Sequence, residues 1–245
     1  SEVINLSFHC DVDRFNQIPQ MPSVKRLTSE ILTQNVLAFP NLEVIRNASY
    51  LEGTIPIQIQ ALPNLKELVL FNATKFNSSL GSKPLEVFKM TFQNSGSHMV
   101  SLPSNLSSLS NLKELTIRDI DIAIFTGFEN LRGLEHLKVC NARWVRIPEE
   151  PNQWTKLKSL DIIEVDLRRD LPGIFTSMLS LESVYISHTE MSTQSQKHLF
   201  DAPELKELTL SDCEMGPIPN EIGNLKKLEK LIINVDQAVV NDQIP

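Results

Sequence analysis

Aliphatic residues recur along the chain in a six-residue pattern, L-x-x-L-x-L, in which other aliphatic side chains can replace leucine. The first position of the pattern falls at Val3, Val24, Leu42, Leu65, Leu85, Leu112, Leu134, Leu157, Leu181, Leu205 and Leu228. Repetition at a period of 20–30 residues indicates stacked structural units, none of which can bury its own leucines. We therefore expect neighbouring units to share one aliphatic interior.

Each unit combines two different periods. In residues 112–117 (LKELTI), Leu115 and Ile117 are two apart, which predicts a short strand with one buried face. The second half of a unit carries an apolar residue at every third position, as in the series Phe15, Ile18, Met21 and Val24. A proline stands nine residues before the next unit at Pro56, Pro103, Pro148, Pro172 and Pro219. Three residues per turn predicts a 3₁₀ or polyproline-like return segment.

The stretches 215–231 (MGPIPNEIGNLKKLEKL) and 51–56 (LEGTIP) resemble the leucine-rich repeats of the plant-type subclass, which carry an Ile-Pro turn. The resemblance covers nearly the whole chain. It implies an α/β solenoid with a curved parallel sheet on the concave face and 3₁₀, irregular or short helical segments on the convex face. We expect residues 1–245 to form a single solenoid of about eleven units, cut from a longer chain.

The sequence departs from the family at the position three places after the last apolar strand residue, where an Asn or Cys is usual. That position is occupied by Ala73, Gln93, Ile120, Ala142, Val165, Thr189, Cys213 and Asp236. Only Cys213 fits, so we expect the loops to satisfy their backbone groups in other ways. The family's cysteine-rich end caps are also missing from this sequence, which suggests self-association through uncapped ends or cover by further chain.

The residue after each unit start carries a charge that alternates in sign. This series, here called the charge ladder, is Lys25, Glu43, Lys66, Glu86, Lys113, Glu135, Lys158, Glu182, Lys206 and Glu229. In a solenoid the ladder residues would stack at a strand spacing of about 4.8 Å, where like charges would repel each other. We interpret the ladder as a structural device that holds strand order. A bipolar binding stripe is the alternative.

Residues on either side of the buried strand pair should point outward from the sheet. The first outward column is Arg46, Val69, Lys89, Thr116, Lys138, Asp161, Tyr185, Thr209 and Ile232. The second is Ala48, Phe71, Thr91, Arg118, Cys140, Ile163, Ser187, Ser211 and Asn234. Aromatic and arginine side chains among polar groups are typical of binding faces. We predict that the first column, together with Phe71, Arg118 and Ile163 of the second, binds a protein or peptide ligand, as in a receptor, adhesion or immune-type protein. An enzyme inhibitor or scaffold, a self-assembling surface protein and a passive surface are the alternatives.

The sequence contains no arrangement that indicates catalysis. Its five histidines lack metal-ligand or histidine–carboxylate spacing, and no nucleophile or phosphate-loop motif occurs. We therefore predict a protein that is not an enzyme and that has neither a cofactor nor a metal. A net charge of −7 argues against a nucleic-acid partner. No apolar run approaches the length of about 18 residues that a transmembrane helix needs.

Cysteines and glycosylation motifs bear on the location of the protein. Cys10, Cys140 and Cys213 belong to well-separated units, so we predict no disulfide bond between them. Asn5, Asn72, Asn77 and Asn105 begin Asn-x-Ser/Thr motifs and are candidate glycan acceptors if the protein is secreted. These motifs and the Ile-Pro turns favour an extracellular or cell-surface location. The missing disulfide framework favours the cytoplasm, which is the alternative.

Overall fold

The structure is a computed structural model, and it divides into two compact units, residues 1–121 (unit 1) and residues 122–245 (unit 2). The residues that it describes are 4–47, 57–73, 80, 84–92, 109–120, 123–124, 131–142, 145–146, 154–165, 171 and 173–234. Five of the repeat starts and prolines named in the sequence analysis lie outside the described residues: the first repeat start, Val3, and the prolines Pro56, Pro103, Pro148 and Pro172.

Unit 1 contains a parallel sheet in which the strands follow one another in chain order. The strands are β1 (Ile4–Phe8), β2 (Val24–Ser29), β3 (Val44–Asn47), β4 (Glu67–Ala73), β5 (Val87–Phe92) and β6 (Glu114–Ile120). Each strand lies in one sequence repeat, and equivalent residues pair across the sheet. Leu27, for example, pairs with Ile45, which in turn pairs with Leu68. The strand predicted for each repeat of this unit is thereby confirmed.

Unit 2 repeats this arrangement and adds short strands. Its strands are β7 (Ala123–Ile124), β8 (His136–Ala142), β9 (Val145–Arg146), β10 (Ser159–Val165), β11 (Ser183–Ser187), β12 (Glu190–Met191), β13 (Glu207–Ser211), β14 (Glu214–Met215) and β15 (Lys230–Asn234). The longer strands form a parallel sheet in the order β8-β10-β11-β13-β15. The two-residue strands pair as β7 with β9 and as β12 with β14, beyond the ends of the longer strands.

The predicted aliphatic interior is present in both units. The repeat starts from Val24 to Leu205 have no exposed surface, and Leu228 is half-buried. Strand residues such as Leu115, Ile117 and Leu160 are buried as well. Burial of one large aliphatic side chain contributes about 1.5–3 kcal/mol. Stacked repeats therefore stabilise each other through side chains that no isolated repeat could remove from water.

The period of three arises from backbone hydrogen bonds between successive apolar residues. The amide of Phe39 donates to the carbonyl of Val36 at 3.2 Å, and the amide of Leu42 donates to the carbonyl of Phe39 at 3.2 Å. In unit 2, Leu181 bonds to Met178 in the same way at 3.1 Å. The 3₁₀ helices are Gln34–Ala38, Ile57–Ala61, Gly173–Ser177 and Asn220–Asn224. The predicted three-residue turns are therefore confirmed in these repeats.

Two repeats use an α-helix for the return segment. These helices are α1 (Val12–Asn16) and α2 (Thr193–Phe200). Helix α2 begins after Ser192, whose hydroxyl accepts a hydrogen bond from the Ser195 amide at 3.0 Å. It buries Leu199 and Phe200 against the interior. Ser192 thus caps the first turn of a helix that is longer than the 3₁₀ helices of the described residues.

One backbone position adopts the left-handed conformation in successive repeats. It is occupied by Asp119 in unit 1 and by Asn141, Glu164, His188 and Asp212 in unit 2, with φ between 49° and 57°. The conformation is uncommon outside glycine, although Asn and Asp tolerate it best. In β8 and β10 the strand continues one residue past this position, and the left-handed residue itself is exposed where alternation predicts a buried side chain.

Candidate binding surfaces on the two sheets

Neighbouring members of the charge ladder of unit 1 form ion pairs at the start of the strands. The carboxylate of Glu43 lies 2.6 Å from the ammonium of Lys25 and 3.1 Å from that of Lys66. Glu86 lies 2.8 Å from Lys113. The backbone amides of Glu43, Lys66, Glu86 and Lys113 each donate to the carbonyl of the preceding ladder residue at 2.8 Å. The predicted side-by-side stacking is confirmed within this unit.

The ladder of unit 2 has the same geometry. Lys158 lies 2.6 Å from Glu135, and Lys206 lies 3.0 Å from Glu182. The hydrogen bond from Lys206 to Glu182 raises the pKa of the lysine above its ordinary value. Hydrogen bonds from Lys25 and then Lys66 lower the pKa of Glu43 in the same way. The ladder groups therefore stabilise each other in their charged forms.

The first outward column is aligned in both sheets. In unit 1 the paired residues are Arg46, Val69, Lys89 and Thr116. In unit 2 they are Lys138, Asp161, Tyr185, Thr209 and Ile232. Arg46 is exposed, and the other members except Val69 are half-buried. The sheets thus bring together, within each unit, side chains that are 20 or more residues apart in sequence.

Val69 is the exception in this column, because only 9% of its surface is exposed. The expectation that it is an exposed apolar contact is therefore wrong. Arg46 and Lys89 stand beside it in the register, and their long side chains are held over the sheet by carboxylates. Long charged side chains can cover apolar surface in this way.

The second column is only partly accessible. Phe71 is 41% exposed, Arg118 is exposed and Ile163 is half-buried, as expected for contact residues. Cys140 and Ser187, in contrast, are buried, although the alternation places them on the same face. They immediately precede left-handed residues, but so do Arg118 and Ile163, so the side chains packed around each position decide which members of the column are buried.

Sequence reasoning missed a third outward column, which starts two residues before the first column on the same strand face. It contains Arg26 and Glu67 in unit 1 and Glu207 in unit 2. These residues supply partners for the first column: Glu67 lies 2.8 Å from Arg46, and Glu114 lies 2.5 Å from Lys89. Strict two-residue alternation was the signal that could have found them.

Ion pairs also hold the face of unit 2. Lys138 lies 3.1 Å from Asp161, and Lys230 lies 3.6 Å from Glu207. Exposed pairs of this kind stabilise a fold weakly, by up to about 1 kcal/mol each. Their main effect is to fix the positions of long side chains around the apolar residues Tyr185 and Ile232.

Backbone groups at the strand ends are satisfied by Thr189 and Cys213. The buried Thr189 hydroxyl donates to the carbonyl of Ser187 at 3.0 Å and accepts from the amide of Val165 at 3.5 Å. The Cys213 thiol contacts the carbonyl of Ile186 at 3.5 Å, and burial raises its pKa. Thr189 therefore bonds to neighbouring backbone groups at the position where the family pattern has Asn or Cys. The sequence analysis did not predict this, because it looked only for Asn and Cys at that position.

The remaining chemical expectations concern metals, thiols and glycans. No group of three or more His, Cys, Asp or Glu side chains that could hold a metal ion occurs among the described residues. Cys10, Cys140 and Cys213 form no disulfide bond. Asn5 is exposed in β1, and Asn72 lies in β4. Asn77 and Asn105 lie outside the described residues. Within the described part of the chain, no helix is long and apolar enough to cross a membrane.

Comparison with known proteins finds likeness in structure. No protein-family model matches the sequence. The plant peptide hormone receptor RGFR1, solved in complex with RGF2, matches with a TM-score of 0.64 and 20% identity over 87% of this chain and 36% of that chain. An internalin (inlF) from Listeria monocytogenes matches with a TM-score of 0.58 and 14% identity over 90% of this chain and 70% of that chain.

A third similar structure is the leucine-rich-repeat ectodomain of the receptor kinase GASSHO1/SCHENGEN3 from Arabidopsis thaliana, in complex with CASPARIAN STRIP INTEGRITY FACTOR 2. It matches with a TM-score of 0.55 and 17% identity over 86% of this chain and 30% of that chain. The chain spans about a third of the length of the two plant receptor chains. Its repeat register, its shared aliphatic interior and these likenesses show that the chain has the leucine-rich-repeat fold.

Proposed function

We propose that this chain is a non-catalytic recognition module that binds a protein or peptide through the outward faces of its sheets. The observation that carries the proposal is the alignment of the first outward column within each unit. Parallel pairing places one variable side chain per repeat at a constant spacing of about 4.8 Å. Such a surface presents many side chains on a rigid support, which suits recognition of an extended partner.

The composition of the face supports binding. In unit 2, Tyr185 and Ile232 are half-buried rather than fully covered, and charged pairs lie on either side of them. Aromatic side chains with a polar surround account for much of the binding energy in known interfaces. Two of the similar structures are receptors named as complexes, RGFR1 with RGF2 and GASSHO1/SCHENGEN3 with CASPARIAN STRIP INTEGRITY FACTOR 2. They support a receptor-like role at the outside of a cell.

Peptide selection tests the proposal. The chain is immobilised and challenged with a displayed library of random peptides, and the enriched peptides are measured against variants. Y185A and F71A should each weaken at least one class of enriched peptide about tenfold without lowering the melting temperature. The matched control is L179A, which removes a large exposed apolar side chain outside the strands. Equal binding by all variants would show that the sheet faces are not the binding surface.

Self-association is a second candidate, because of one exposed residue. Leu231 of β15 pairs with the fully buried Leu208, yet 45% of its own surface is exposed. Apolar surface of this kind favours contact with another chain. Light scattering across a concentration series tests this candidate, and L231D should abolish any concentration-dependent rise in mass. A monomer at all concentrations would contradict it.

A further inference from the structure

The sheet face of unit 1 has a charge opposite to that of the whole chain. Its outward cations are Arg26, Arg46, Lys89 and Arg118, and its outward carboxylates are Glu30, Glu67 and Glu114. The face therefore has an excess of one positive charge, whereas the whole chain has a net charge of −7. The charge ladder beside it contributes three lysines and two glutamates in this unit, which adds one positive charge.

Two of the four cations have a carboxylate partner on the face, while Glu30 pairs with His9 instead. Glu67 lies 2.8 Å from Arg46, and Glu114 lies 2.5 Å from Lys89. Arg26 and Arg118 are exposed and form no salt bridge with other described residues. Asp119 follows Arg118 in sequence, is half-buried and has interactions of its own. Two guanidinium groups of this face are therefore available to an anionic partner.

An exposed aromatic ring lies between the strands of these two arginines. Phe71 belongs to β4, two strands from β2, which carries Arg26, and two strands from β6, which carries Arg118. Between the pairs Leu70–Met90 and Ala73–Phe92 the register shifts, and Phe71 lies within this irregularity. Bulges of this kind redirect side chains and are common beside functional sites. The ring is 41% exposed.

The spacing of these groups defines the kind of segment that would fit. Two strand steps separate Phe71 from Arg118 by about 10 Å, which an extended peptide covers in about three residues. Guanidinium groups bind carboxylates through paired, charge-assisted hydrogen bonds. The face of unit 2 lacks this asymmetry, because Lys138 pairs with Asp161 and Lys230 pairs with Glu207.

We infer that the sheet face of unit 1 binds an extended acidic segment of a partner protein. A carboxylate of the segment contacts Arg118, and an apolar side chain about three residues away packs on Phe71. A second carboxylate reaches Arg26. This inference rests on the proposed function, since it assigns partner chemistry to one of the two sheet faces.

The test uses the whole chain and the displayed library of random peptides. We expect enriched peptides to be acidic and to carry an apolar residue about three positions from an Asp or Glu. R118E should weaken their binding by about tenfold or more, and added salt should weaken the wild-type complex. The control R14E makes the same charge change at a residue of α1 that is 79% exposed and should leave binding unchanged.

The outcomes separate this inference from the function on which it rests. Enriched peptides that are neutral or basic, or the absence of any enriched peptide, would overturn it. Equal losses with R118E and R14E would also overturn it, because they would indicate a general charge effect. If Y185A weakens binding and R118E does not, sheet-face recognition stands and the acidic partner is wrong. If neither substitution matters, both proposals fail.

Discussion

The carboxylate of Glu43 lies between two ammonium groups, 2.6 Å from that of Lys25 and 3.1 Å from that of Lys66. These three residues come from successive repeats, and their backbones are hydrogen-bonded in the same order. A single side chain therefore reports on the register of three stacked repeats.

Charge reversal at this position should destabilise unit 1. E43K places three ammonium groups in a row, where like charges repel. We expect a lower melting temperature in low salt and recovery of part of the loss in high salt. The matched control is E190K, since Glu190 pairs in register with another carboxylate, Glu214. This reversal should not lower the melting temperature, and a similar fall in both variants would contradict the role of the ladder.

The lowered pKa of Glu43 predicts a dependence of stability on pH. A carboxyl whose folded pKa lies below its unfolded value binds fewer protons when folded, so it stabilises the fold above the unfolded pKa. Wild type should therefore be more stable than E43Q at neutral pH. The ordinary pKa of a glutamate is 4.5, and the folded pKa of Glu43 lies below it. The difference in unfolding free energy between the two proteins should therefore shrink as the pH falls from 4.5 through the folded pKa. Urea unfolding of both proteins across acid pH measures it, and a constant difference would contradict the assignment.

The amide of Gln196 in α2 is fully buried, and neither of its polar atoms has a hydrogen-bond partner among the described residues. A buried unsatisfied polar group costs about 1–3 kcal/mol. Q196M keeps the side-chain length and the helix propensity, so it should raise the free energy of unfolding by about that amount. The control Q194M changes an exposed position of the same helix and should have little effect. Destabilisation by Q196M would show that the amide has an essential partner.

Loss of the Thr189 hydroxyl should loosen the end of β10. T189V keeps the shape of the side chain but removes the bonds to the Ser187 carbonyl and the Val165 amide. We expect a loss of about 1–3 kcal/mol in unfolding free energy and faster hydrogen exchange at Val165. The control T176V removes an exposed hydroxyl bond to Gly173 and should be nearly neutral. Unchanged exchange at Val165 would contradict the bridging role.

The interior and the ladder could be predicted because both depend on repetition. The leucines at the repeat starts and the alternating charges beside them occupy equivalent positions in every repeat. Residues one repeat apart in the sequence are therefore neighbours in the structure. For the proposed binding residues, the sequence predicted only that they lie on the outward face of the sheet, not how exposed each one is. Arg26 and Glu67 were missed because only two of the three outward columns were considered, although alternation marks all three.

Sequence alone thus determined the repeat, the buried aliphatic positions, the tight three-residue turns and the order of the ladder charges. Only the tertiary structure decided how far each outward residue is exposed, as Val69, Cys140 and Ser187 show. It also decided which carboxylates pair with Arg46 and Lys89. The physical reason is that burial and ion pairing depend on neighbours 20 or more residues away. Repeat spacing identifies those neighbours, but their side-chain conformations follow from packing.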